Sequence, residues 1–426
     1  MAWSPFQVPS AFDAASGGRE CSRRTPRCIG RGDPCEDAPL DRSVHIREHP
    51  PRTPTANIMP LLQDAITLRG LVCPNRIFMA PLTRQRAKAP GDIPGELQAE
   101  HYAQRAGFGA IITEATQVSP EGKGYPNTPG IYSDEQIAGW RLVTDRVRAA
   151  GGRMFLQLWH VGRVSHVAHQ PDGQPPVAPV AVRSKGFVVI RHPDGRRERV
   201  EASMPRALET AEMPRLIEDF GHAARCAKQA GFDGVEVHAA NSYLINQFLS
   251  GSLNTRDDAW GGALENRMRL LMNVVDAAGD VFGYARVGVR LSPMGSVNDL
   301  PPAPDDEELM RRVAGELGAR RLAYLHLFNH FWPKDRWNGP FSEALCREMR
   351  ARFDGPVVLN GYGTDVAAAQ SDLDRGLGDA VAFGKLAISN PDLPARLARG
   401  VPLAPWDDAT FYGDDARGYN DYPSAT

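Results

Sequence analysis

No stretch of about 18 consecutive apolar residues occurs in the chain, so nothing in it reads as a membrane span. Neither sign of charge prevails. The 49 basic and 51 acidic residues leave a formal net charge of -2 over 426 residues, which provides no field to recruit nucleic acid or an anionic membrane. Cysteine is scarce: six in so long a chain make no disulfide framework. Cys21, Cys28 and Cys35 recur every seven residues, but no CxxC pair or histidine-rich companion makes them a metal site. The thiols read as reduced and the protein as cytoplasmic. Also missing is a G-x-G-x-x-G turn after any predicted strand, which excludes a classical dinucleotide-binding domain. These absences leave small-molecule work as the expectation.

What is present is enough apolar residue, 42%, to bury a substantial core. Residues 1–58 are rich in Arg, Pro, Gly, Ser and Asp without apolar periodicity, so they cannot offset the entropy of ordering and are expected to be a disordered extension. The interspersed acids Asp33, Glu36, Asp37 and Asp41 argue against a transit peptide. The globular part is expected over 59–426. There, short apolar runs alternate with longer amphipathic stretches. Strands are predicted at 77–80, 110–114, 154–159, 235–238, 287–291, 324–328, 357–360 and 380–383. Helices are predicted at 134–150, 213–230, 266–278, 305–317, 342–353, 365–375 and 391–399. Eight strands alternating with helices suggest a (β/α)₈ TIM barrel of the α/β class. One excursion, 162–210, interrupts the pattern after the third strand. It holds two alternating runs, 187–191 and 197–201, around Pro193-Asp194-Gly195, and so predicts a hairpin, either a lid across the barrel mouth or a surface elaboration.

Chemistry-bearing residues gather at the strands' C-terminal ends, the face on which barrels carry their sites. Glu114, Gln157, His238, Arg290 and Asn360 lie there, with Thr83 just past the first strand. The densest stretch is 231–262, where alternation puts Glu236 and His238 on one strand face and Asn241 and Tyr243 follow within six residues. A lone histidine there would be an ordinary core residue; three reactive side chains at one strand end point to function. Gln157 shares a face with Phe155 and Trp159, and a buried amide needs partners such as a heterocycle bearing N–H and C=O groups. Arg290 either points into the site, where it stabilises negative charge on a bound ring, or pairs with Glu236. The glycines of Asn360-Gly361-Tyr362-Gly363 and Phe383-Gly384-Lys385 either turn the chain or admit a phosphate, which barrels commonly hold after strands seven and eight.

With these residues assembled, the chain resembles the old yellow enzyme family of flavin-dependent alkene reductases over nearly all of its globular part. The resemblance rests on Met79-Ala80-Pro81-Leu82-Thr83-Arg84, Gln157-Leu158-Trp159-His160-Val161-Gly162-Arg163, the 231–262 stretch, Phe383-Gly384-Lys385 followed by Asn390-Pro391-Asp392-Leu393, and Thr410-Phe411-Tyr412-Gly413. It implies FMN bound without a covalent link, reduced by NADPH or NADH, and a small activated alkene as oxidant in ping-pong turnover, in a monomer or homodimer. By that resemblance Pro81, Leu82 and Ala115 lie against the flavin, Thr83 hydrogen-bonds it near its reactive nitrogen, Gln157 holds its pyrimidine edge and Arg290 stabilises its reduced form. Gly361, Gly363, Gly384 and Lys385 surround its phosphate. His238 and Asn241 grip the substrate oxygen, Tyr243 donates a proton, and Tyr125, Trp159 and Tyr412 line the pocket. Lys385 departs from the arginine of many relatives, which weakens bidentate phosphate binding. Asn241 is the asparagine form of a position that varies in the family between histidine and asparagine, and the long N-terminal extension matches nothing in the family.

Two other readings remain at this stage. A metal-dependent barrel hydrolase or aldolase would use Glu236, His238 and either His160 or His326, although no HxH pair is present. A non-catalytic barrel scaffold would leave the polar strand ends without a purpose.

Overall fold

The computed structural model describes residues 61–295, 297–330 and 337–425; the extension expected over 1–58 lies outside them. Eight parallel strands carry the described chain: β1 (Ile77–Met79), β2 (Ile111–Ile112), β3 (Met154–Trp159), β4 (Gly234–Ala239), β5 (Val287–Leu291), β6 (Tyr324–Phe328), β7 (Val357–Asn360) and β8 (Ala380–Phe383). Each pairs with the next, and β8 pairs with β1, so the sheet closes into a barrel. Parallel pairing demands crossovers, and helices provide them: α1 (Glu96–Ala103), α2 (Asp134–Ala149), α3 (Met213–Gln229), α4 (Leu244–Leu249), α5 (Leu264–Phe282), α6 (Asp306–Ala319), α7 (Glu343–Phe353), α8 (Val366–Asp374), α9 (Lys385–Ser389) and α10 (Leu393–Arg399).

The helices form where an apolar stripe and a cap coincide. In α3, Met213, Leu216, Phe220, Ala223, Ala224 and Ala227 recur at three- and four-residue steps and are all buried. Ser133 opens α2 with a capping box, its hydroxyl accepting from the Gln136 backbone while the Gln136 side chain returns a bond. Two elements were not legible beforehand. Helix α1 buries Gln98 and His101 beside Ala99 and Tyr102 and has no apolar stripe. A ribbon of two three-residue strands, Ile66–Leu68 and Leu71–Cys73, packs Ile66, Leu68 and Cys73 against Phe78, Phe155 and Tyr324 at the barrel's N-terminal end. Gly288 makes that packing possible, since a Cβ there would lie 2.3 Å from the Tyr324 ring.

Strand β2 corrects the expected 110–114: it pairs only at Ile111–Ile112, and pairing with β3 resumes at Thr116–Gln117. The chain leaves the ladder between them because Glu114 turns aside to accept the Arg84 backbone N–H at 3.1 Å. Helix α5 is longer than the expected 266–278, the expected 391–399 is α10, and the short α9 before it was not expected.

The predicted hairpin is present, with Phe187–Arg191 antiparallel to Arg197–Glu201. Its turn places Gly195 at φ 85°. Among the described residues, no helix is long and apolar enough to cross a membrane.

The last segment of the chain is latched to the loop after β1 by two buried arginines. Arg86 spends all five of its N–H donors on backbone carbonyls, those of Thr410, Phe411, Asp415, Arg417 and Arg84. Arg84 reaches Phe411 and Gly418 in the same way. Both guanidinium groups lie over the Tyr419 ring, which stacks on His101 at 3.8 Å. Replacing Arg86 by Met leaves several buried carbonyls unpaired. It is expected to destabilise the protein by about 2 kcal/mol or more, read from the denaturant midpoint. An unchanged midpoint would show that the carbonyls find other partners.

Candidate active site

Every residue singled out for chemistry lies on one face of the barrel, at or beyond the C-terminal ends of the strands. Gln157 and Trp159 are on β3, His238 on β4 and Arg290 on β5. Pro81, Leu82 and Thr83 follow β1 and are half-buried. Ala115 and Tyr125 lie beyond β2, Asn241 and Tyr243 beyond β4, Gly361 and Gly363 beyond β7, and Gly384 and Lys385 at the start of α9. Tyr412 arrives on the latched C-terminal segment.

Three aromatic rings form one wall. Tyr125 stacks on Trp159 with centroids 5.8 Å apart, Tyr243 meets Trp159 edge-on at 5.1 Å, and the Tyr125 and Tyr243 hydroxyls are 3.3 Å apart. Val188 and Val200 of the hairpin and Ala115 pack into this same cluster. The hairpin therefore supplies part of the pocket wall. Its Arg191 and Arg197 hold Asp414 at 3.0 and 3.3 Å, and they bond Asn127 and Gln85. Burial, reinforced by the neighbouring Tyr125 hydroxyl, raises the Tyr243 phenol well above its ordinary range, so it stays protonated.

Beside Tyr243 stand two neutral polar groups. His238 accepts the Ala240 backbone N–H on Nδ1 at 3.3 Å, which leaves its proton on Nε2. Burial, then the charge of Arg290, holds its imidazole well below the usual range, so the ring is a neutral donor. Asn241 and Ser242 take left-handed backbone angles, φ 58° and 62°. That conformation is fixed from β5's loop, where Ser292 Oγ accepts the Asn241 N–H at 2.9 Å and Val297 accepts the Ser242 hydroxyl. Asn241 Oδ1 is buried without a protein partner, so the amide is free to turn about χ2 and present its NH₂. The Ser292 and Val297 supports had no signature in the sequence.

Beneath this pair lies a polar floor. Arg290 does not form the ion pair with Glu236 that was one of its two expected fates; its Nη2 donates to Asn360 Oδ1 at 2.9 Å and its Nε is buried without a partner. Glu236 instead accepts from Gln157 Nε2 at 2.7 Å and is hydrogen-bonded to His326 Nδ1 at 2.8 Å. Both carboxylate oxygens are thus engaged, and no group of three His, Cys, Asp or Glu that could hold a metal occurs among the described residues. The hydrolase reading loses its ligand set.

The floor and its rim fit a flavin mononucleotide. A planar ring with N–H and C=O edges would find partners in the amide of Gln157 and the unpaired N–H of Arg290. Gly361 sits at φ 124°, and a Cβ there would approach Asn329 O to 2.5 Å, so only glycine fits at this point of the rim, where a phosphate would lie. Lys385 is less committed: its side chain is 44% exposed, 3.5 Å from Asp408 and over the Trp406 and Phe411 rings.

The sequence signature described as the NADH:flavin oxidoreductase / NADH oxidase family matches residues 63–404. The chain belongs to this family. Among its relatives, 12-oxophytodienoate reductase 1 of Oryza sativa subsp. japonica is 38% identical over 379 residues, covering 88% of this chain and 95% of that protein. A Leishmania infantum protein named "Probable flavin mononucleotide-dependent alkene reductase" is 39% identical over 82% of this chain and 93% of its own length. The solved structure of morphinone reductase in complex with tetrahydroNAD superposes with a TM-score of 0.81 at 48% identity, covering 86% of this chain and 98% of that one. The chain is thus an old yellow enzyme-type oxidoreductase, FMN-dependent and reduced by a nicotinamide, and the motif resemblance identified it correctly.

Proposed function

We propose that this flavin enzyme reduces the C=C bond of small α,β-unsaturated carbonyls, maleimides and nitroalkenes, with NADPH or NADH as reductant, through the residues gathered at the barrel mouth. Bound FMN supplies the hydride. Pro81, Leu82 and Ala115 give the ring its apolar contacts, the Thr83 hydroxyl bonds it near its reactive nitrogen, and Gln157 holds its pyrimidine edge. Arg290 places its unpaired N–H and its charge where the ring gains negative charge. Gly361, Gly363 and Gly384 let the backbone close on the phosphate, and Lys385 turns from Asp408 to meet it.

His238 Nε2–H and the Asn241 NH₂ hold the carbonyl or nitro oxygen. Both are neutral donors: the Ala240 N–H holds the His238 ring from behind, Ser292 holds the Asn241 backbone, and the Asn241 amide turns about χ2 to meet the charge developing on that oxygen. Polarisation makes the far alkene carbon electron-poor, and Tyr243 delivers its phenolic proton to the carbon beside the activating group. Tyr125 lies within hydrogen-bonding distance of the Tyr243 oxygen and steadies it as the proton leaves. Trp159, Tyr412 and the hairpin valines exclude water from the pocket. Nicotinamide and alkene use the one mouth in turn, which makes the kinetics ping-pong. The enzyme acts in the cytoplasm as a monomer or homodimer.

The observation that carries this reading is the convergence of two neutral donors and a protonated phenol above a floor where Arg290 keeps a buried N–H unpaired. Purified protein is expected to be yellow, to release one FMN per chain on heating, and to be bleached by NADPH and recoloured by 2-cyclohexenone. Colourless protein that takes up no added FMN would reject it.

A further inference from the structure

The polar floor holds a charge that the proposed mechanism does not use. Glu236 is fully buried on β4, one side-chain layer below His238. Strand register aligns it with Gln157 of β3 on one side and Gly288 of β5 on the other, while His238, Arg290 and His326 align in the layer above. The Tyr324 ring of β6 fills the space at Gly288, and Glu236 reaches across β5 to His326.

Its Oε1 accepts from the Gln157 amide and its Oε2 lies 2.8 Å from His326 Nδ1; with the His326 proton on Nδ1, both carboxylate oxygens are acceptors. Neither donor neutralises it. Gln157 is uncharged, and His326, whose imidazole burial pushes down in spite of the adjacent carboxylate, donates as a neutral ring. Arg290 gives its hydrogen bond to Asn360 instead, and no arginine or lysine ion-pairs with Glu236 among the described residues. A buried anion of this kind, costly to keep, acts on whatever charge forms nearby.

We infer that Glu236 sets the reduction potential of the bound flavin, its buried negative charge opposing the stabilisation that Arg290 gives the reduced ring. This rests on the reading that Gln157 and Arg290 contact the flavin. Two-electron reduction of the ring with uptake of one proton adds one negative charge, so an anion separated from it by a single hydrogen-bonded amide disfavours reduction. At an effective dielectric of about 20 and a separation of roughly 8–10 Å, removing that anion favours the reduced form by at least about tenfold. The Gln157 hydrogen bond gives Glu236 a second effect of the same origin: by taking the amide's N–H it fixes Oε1 as the atom turned away from the carboxylate.

Glu236→Gln removes the charge and can keep both bonds. The new Oε1 accepts from Gln157, and the new NH₂ donates to His326 Nδ1 once that ring carries its proton on Nε2. Spectroelectrochemical titration of the FMN-loaded protein is expected to show the two-electron midpoint rising by about 30 mV or more, the equivalent of tenfold. Glu236→Met, which needs no hydrogen bond of its own, should shift it in the same direction. His326→Asn keeps a neutral donor where Nδ1 stands and is expected to leave the midpoint near that of the parent protein. A midpoint unmoved in Glu236→Gln, or moved as far in His326→Asn, would overturn the assignment. So would failure of both Glu236 variants to fold, which would make the residue's role structural. A parent protein that binds no FMN would instead overturn the flavin reading itself, and that result is visible before any variant is made.

Discussion

Tyr243→Phe is expected to keep flavin reduction by NADPH while slowing reoxidation by a weakly activated enone. Loss of a positioned general acid costs about 10²–10⁴-fold. The reason lies in which proton is missing. Phe fills the same space against Trp159 and His238, both of which meet the ring edge-on at 5.1 Å, so the pocket keeps its shape. What goes is the only hydroxyl proposed to reach the alkene, one kept protonated by burial. Strongly activated nitroalkenes, whose reduced nitronate is stable enough to leave and pick up its proton from water, should lose far less. Stopped-flow measurement of the two half-reactions separates the cases. Lost flavin reduction with retained enone turnover would show that Tyr243 serves the nicotinamide and not the alkene.

The second large effect is expected from His238→Ala combined with Asn241→Ala. Phenols mimic the oxyanion of the reduced substrate, and a hydrogen bond to a charged oxygen contributes about 1.5–3 kcal/mol. Losing two should weaken phenol binding by roughly 10²-fold or more, read from the perturbation of the flavin spectrum. The Asn241 substitution carries a confounding cost, because alanine at φ 58° is strained where asparagine is tolerated. Asn241→Gly relieves the strain and lacks the amide. If His238→Ala with Asn241→Gly binds phenol as tightly as the parent, the oxyanion role is rejected; if it is as weak as the alanine pair, the lost donors are the cause.

The barrel was legible because a parallel sheet buried on both faces writes its strands as short continuous apolar runs. Strands β3, β5, β6, β7 and β8 have the bounds read from the sequence. Strand β2 was not, since Glu114 looks like a strand residue locally and is diverted by a partner 30 positions earlier, the Arg84 backbone. Helix α1 escaped for the opposite reason: its buried side chains are polar and leave no stripe. At the site, His238, Asn241 and Tyr243 could be found from spacing alone because they sit at one strand end. Arg290 could be placed but its partner could not, as Asn360 lies 70 positions away. The arginine latch was beyond reach, because its acceptors are backbone carbonyls, which every residue possesses and no sequence marks.

The left-handed turn at Asn241 and Ser242 bears on how this enzyme can diverge. A β-branched or bulky apolar residue would strain the backbone at 241 whatever its side chain offered the substrate, whereas asparagine and histidine are among the few non-glycine residues that enter this conformation readily. Chemistry asks for a neutral donor and geometry for a residue at ease with positive φ, and the overlap of the two demands is small. The substrate's activating group is thereby held to a narrow alphabet, while the hairpin and the C-terminal segment, which face no such double test, remain free to vary the alkenes that the pocket admits.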